Sequence, residues 1–169
     1  MLGLIVGLIS SCAPDGIERS DKDDAHAFVT SINAWSQSLT EDGEKMGNLL
    51  ALIHEGNVDE LEEFESQLRQ FEQRLDAVIT DLSEHKLPEI EELSDYRSAF
   101  VEYLLWQQTS AAETMRDMVK IAADQETPRE ERAREIGALL SETNEKEITW
   151  KRRLLELREQ LYAVLNEAS

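Results

Sequence analysis

The 169 residues carry 17 basic against 36 acidic side chains, a net charge of −19 at neutral pH, with seven glycines, three prolines and one cysteine. A field of that sign repels nucleic-acid phosphates and anionic lipid head groups, which disfavours nucleic-acid binding and direct electrostatic adhesion to a membrane. The length suits one domain with a sizeable core, and the content of Glu, Leu, Ala, Gln and Arg is that of long helices. The charge is unevenly placed: Asp15 to Glu92 holds 21 acidic and 6 basic residues, and Leu93 onward holds 15 and 11. This acidic first half reads either as a solvated face, the commoner case, or as a docking face for a cationic protein partner.

Leu2 to Ile9 is an apolar run of eight residues. It is too short to cross a ~30 Å hydrocarbon layer, but it suits the apolar segment of a secretory signal. Ser10 and Ser11 then lead into Cys12, and Ile9-Ser10-Ser11-Cys12 resembles the lipobox of bacterial lipoproteins. No Lys or Arg precedes the run, where such signals normally carry positive charge. The resemblance implies that residues 1–11 are a cleaved signal peptide and that Cys12 is the lipidation site. A diacylglyceryl group on its thiol and an acylated new amino terminus would then anchor the chain to a bacterial envelope membrane. Ala13 after the cysteine resembles outer-membrane sorting, facing the periplasm or the cell surface. A lone cysteine forms no internal disulfide, and lipidation would remove its exposed thiol. Residues 12–20, with Pro14 and Gly16 as breakers, read as a polar tether, and 21–169 as the helical domain.

Four helices are expected in that domain. The first, about residues 21–55, places Ala25, Phe28, Ile32, Trp35, Leu39, Met46, Leu50 and Ile53 on one stripe. Gly43 falls where a core residue is due, yet the stripe stays in phase across it, which favours one continuous helix. Gly56 suits a C-terminal cap, and Asn57 with Glu60 resembles a capping box for a second helix. That helix carries Val58, Leu61, Phe64, Leu68, Phe71, Leu75, Val78 and Leu82. Pro88 suits the first turn of a third helix, which runs to about Ala123 through Ile90, Leu93, Phe100, Leu104, Ala111, Met115, Met118 and Ala122. Thr127-Pro128-Arg129-Glu130 reads as a capped start for the fourth, striped by Ala133, Ile136, Leu140, Trp150, Leu154, Leu157, Leu161 and Val164. Long amphipathic helices on short loops give an antiparallel up-down-up-down four-helix bundle; an extended hairpin or coiled-coil oligomer is the alternative.

Chemistry-bearing motifs are sparse. A carboxylate-bridged di-iron centre needs Glu-x-x-His from two helices, and only Asp23-x-x-His26 comes near it. The fourth helix has neither His nor Met to ligate a haem. His26 and His85, with Asp23, Asp24 and Glu84, fall at the tether end, where solvated side chains are the usual reading and a divalent-metal site the minor one. Asp59, Glu62 and Glu63 lack the spacing of a Ca²⁺ loop. No nucleophile elbow, phosphate-cradling glycine loop or Cys-His pair points to an enzyme, and no cofactor is implied. The three tryptophans lie on or beside the stripes, as core or flank residues, with a ligand-stacking cage as the minor alternative. Gln108 and Asn144 are expected to face each other as a buried polar layer, with inward rotation of Gln107, Thr143 and Ile148 as the alternative. Two readings of function follow. The first is an envelope-anchored interaction or structural module, favoured by the Leu, Phe and Met stripes and packed throughout. The second is a small-ligand or metal-binding bundle, which requires a cavity of a few hundred Å³ with convergent polar groups.

Overall fold

The computed structural model describes residues 17–167; the signal-like run, Cys12 and most of the expected tether lie outside the described residues. Helices α1 (Arg19–His54), α2 (Leu61–Glu84), α3 (Glu91–Trp106), α4 (Ala112–Ala123) and α5 (Arg129–Glu167) follow one another, with a π-helical turn, Gln107–Ala111, between α3 and α4. Because α3, the π turn and α4 continue as one rod, the described chain is four rods on three short connections, an all-α four-helix bundle without strands. Helix α1 starts two residues before its expected boundary, and Ile17 already packs against the core.

Side-chain period explains the rods. Phe64, Leu68, Phe71, Leu75, Val78 and Leu82 recur every three or four residues along α2, and all are buried. Helix α1 passes unbroken through Gly43, and its stripe from Ala25 to Ile53 meets that of α2. It ends in a glycine cap: Gly56 takes φ 108°, its N–H donates to the Ile53 carbonyl at 3.0 Å, and Asn57 N–H donates to Leu52 at 3.1 Å. That positive φ belongs to a glycine by sterics.

Three expected helix starts differ in detail. The Asn57–Glu60 capping box does not form; Val58–Glu60 is a 3₁₀ turn in which Glu60 N–H donates to the Asn57 carbonyl at 3.1 Å. Pro88 lies in the connection rather than the first helical turn, because extended Ile90 drops into the core and α3 begins after it. Thr127 does not act as an acceptor cap. Its hydroxyl donates to Asp124 Oδ2 at 2.7 Å while Glu126 N–H donates to Asp124 Oδ1 at 3.0 Å, so Asp124 organises this turn. These two bonds hold the Asp124 carboxyl below the usual carboxylate range.

Two arginines tie the rods together, Arg132 from inside and Arg74 from the surface. Arg132 is buried and donates through Nη1 to the Ala122 carbonyl, occupying an acceptor at the end of α4 that the helix itself leaves open. Arg74 on α2 reaches across to buried Asp42 on α1 at 2.5 Å and to Ser38 Oγ at 2.9 Å.

Candidate functional site: a groove between the first and last helices

The stripe of α5 is covered at its ends and open in its middle. Ile136, Leu161 and Leu165 are buried, whereas Trp150, Leu154 and Leu157 are only half-buried, and Ala133 is exposed. Leu140 and Leu155 stand 41 % and 45 % exposed. Both Ala133 and Leu140 were expected in the core. The cause is the path of α1, which rests on α2 and α4 and meets α5 over only a short stretch. A groove of about 710 Å³ opens along that seam. Such a volume lies within the range of small-molecule sites.

The groove is amphipathic in cross-section. Its floor is apolar, built by Ile32, Met46, Phe71, Phe100 and Met118 from three rods. The α1 wall presents Asn33, Ser36, Thr40 and Glu44, with Gly43 leaving open space where a side chain would project. The α5 wall presents Asn144, Glu147, Lys151 and Arg158 among Leu140, Leu154 and Leu155. From Ile32 to Met46 the α1 wall is roughly 21 Å long at helical rise.

One polar chain crosses the base of the α5 wall. Gln107 Nε2 donates to Tyr103 Oη at 2.7 Å, the Tyr103 hydroxyl donates to the Glu147 carboxylate, and Lys151 Nζ pairs with Glu147 at 2.8 Å. Burial foremost, and then the Glu147 charge, push the Tyr103 phenol up to about 12, so it is a neutral donor at ordinary pH. Aromatic rings frame it: Trp106 stacks at 6.0 Å, Trp150 lies at 6.3 Å and Phe100 at 6.2 Å. Arg153 covers the Trp150 ring at 5.5 Å while pairing with Glu102 at 2.8 Å. Trp106 therefore lines the groove, and Trp150 supports its tyrosine.

The π turn begins at Gln107, the last residue of this chain on the third rod. An extra residue per turn rotates the side chains around it, and single π turns concentrate at functional sites. Here Gln107 turns to the groove, while Gln108 turns to α2 and donates to Asp76 Oδ1 at 2.5 Å. The expected Gln108–Asn144 layer is therefore not formed. Asn144 lines the groove as an exposed side chain, Thr143 is half-buried, and Ile148 is 56 % exposed. The tyrosine–glutamine–glutamate chain was not foreseen; the Tyr103 and Gln107 spacing of four was its one sequence signal.

His26 stacks on Tyr162 at 5.7 Å, and His85 packs against Phe28 at 5.5 Å, each ring with its own aromatic partner. Among the described residues no group of three or more His, Cys, Asp or Glu is placed to hold a metal ion, and no helix is long and apolar enough to cross a membrane. Cys12 lies outside the described residues. No protein-family model, curated protein or solved structure matches the chain.

Proposed function

We propose that this chain is an envelope lipoprotein, anchored through Cys12, whose helical bundle holds an elongated amphipathic small molecule in the groove between α1 and α5. The observation that carries the reading is the groove itself, about 710 Å³ with an apolar floor and polar walls, at the place where the α5 stripe should have been covered. A bundle whose work is only to present its outer faces has no use for an uncovered seam, because filling it with larger side chains would add apolar burial. The anchor rests on the lipobox-like Ile9-Ser10-Ser11-Cys12. One acyl chain binds a bilayer marginally and two hold it stably, as the lipoprotein pattern would provide.

The groove is tested with a neutral apolar dye, N-phenyl-1-naphthylamine, titrated against the wild type and Gly43→Leu. A Cβ at residue 43 meets nothing within 4 Å, so the leucine enters the groove without displacing the fold. Saturable binding by the wild type, weakened at least several-fold in Gly43→Leu at unchanged helicity, is expected. Absence of saturable binding overturns the reading. The anchor is tested by labelling with a palmitate analogue in a bacterial host: the wild type takes the label and Cys12→Ser does not.

A further inference from the structure

Arg158 stands apart among the charges of the groove. Lys151, the other cation lining it, is paired with Glu147 at 2.8 Å. Arg158 is half-buried and pairs with no carboxylate among the described residues, in a chain with 36 acidic side chains; its field falls on the neutral Tyr96 phenol, which also lines the groove and leaves the charge unmatched. A guanidinium stays charged at any physiological pH and offers a planar fork of donors that matches a carboxylate. Withdrawing such a group from water without an acceptor is unfavourable, and an acceptor brought by a ligand removes that cost.

The position of Arg158 defines the ligand further. Counting along antiparallel α1 and α5 from the His26–Tyr162 contact puts Asn33, also on the groove wall, within one helical turn of Arg158. Both stand at one end of the groove. From there the apolar floor continues past Phe100 and Met118 toward Leu140, roughly 27 Å farther along α5. A head group fits at one end and a single unbranched chain along the rest. The wall carboxylates Glu44 and Glu147 each lie about 16 Å along their helices from that end, and Glu147 is paired with Lys151, so Arg158 is the charge the head meets and a head bearing one negative charge matches it.

We propose that the occupant is a long-chain fatty acid, its carboxylate paired with Arg158 and its chain laid along the floor toward Leu140. This rests on the reading of the groove as a ligand site and adds the ligand's class and polarity. The test is calorimetric titration of laurate, dodecanol, dodecyl phosphate and dodecyltrimethylammonium into the purified protein, as wild type, Arg158→Gln and Arg158→Lys. Laurate should bind at least tenfold more tightly than dodecanol or the cation, and more tightly than the phosphate. Arg158→Gln should lose that preference while keeping dodecanol binding, which also certifies its fold, and Arg158→Lys should fall between. Lengthening the fatty acid from ten carbons to fourteen should tighten binding by about fourfold per methylene. Equal binding of laurate and dodecanol by the wild type, tighter binding of the phosphate, or an unchanged laurate affinity in Arg158→Gln overturns the fatty-acid assignment and leaves the groove reading standing. Failure of all four amphiphiles to bind overturns both.

Discussion

Tyr103 sits between a donor and an acceptor, and the two pull its proton in opposite senses. The Gln107 amide stabilises the phenolate, while burial and Glu147 stabilise the phenol and prevail. A folded-state value raised to about 12, against 10.0 for the free group, means that this phenol contributes stability fully present below about pH 10. That stability is lost as the pH rises through about 12. A spectrophotometric alkaline titration should therefore show a late tyrosinate step that disappears in Tyr103→Phe, and the alkaline unfolding limb of the variant should be shallower. At Gly43 the helix carries backbone freedom with no steric need for it, since no positive φ is present there and a Cβ would meet nothing. Gly43→Ala should raise stability by about 0.5–1 kcal/mol in a denaturant titration. Asp42, buried against Arg74, should behave in the opposite way. Asp42→Ala removes a charged hydrogen bond at 2.5 Å but leaves a partly exposed guanidinium that water can reach, so a loss of about 1–2 kcal/mol is expected by the same method.

At the scale of elements, the stripe of α2 was legible because that helix is covered along its length, and the stripe of α1 was legible at its two ends, while Trp35 and Leu39 in its middle stay half-buried beside the groove. Six α2 positions read from period alone are all buried, and Gly43 interrupts neither phase nor helix. The third rod was half legible. A plain α period continued from Leu104 accounts for Ala111, Met118 and Ala122 but misses buried Ala112 and Val119. The π turn displaces the phase by part of a residue, and no turn-forming Gly or Pro in Gln107-Gln-Thr-Ser-Ala announces it. Deleting exposed Thr109 should return this turn to ordinary α geometry with little change downstream. Such a deletion should cost far less stability than Leu104→Ala, a fully buried truncation expected to cost about 2–5 kcal/mol, and it should leave the Tyr103–Gln107 pair, four residues apart and ahead of the deletion, in place. Equal losses of stability in the two variants would show that the π turn serves packing alone. The α5 stripe was the least legible, because Leu140 is as apolar as any core leucine. What leaves it exposed is the distance of a different helix, which period cannot report.

Over the whole molecule, the three short connections join α1 to α2, α2 to α3 and α4 to α5, and none joins α1 to α5. The seam with the groove is thus the one side of the bundle held by side chains alone, among them His26 against Tyr162 near its end. In this sense the bundle is a three-walled trough whose fourth edge is a latch rather than a hinge. Among the described residues, separating α1 from α5 breaks no turn, no cap and no backbone hydrogen bond, so a long guest can be laid in sideways instead of being threaded from an end.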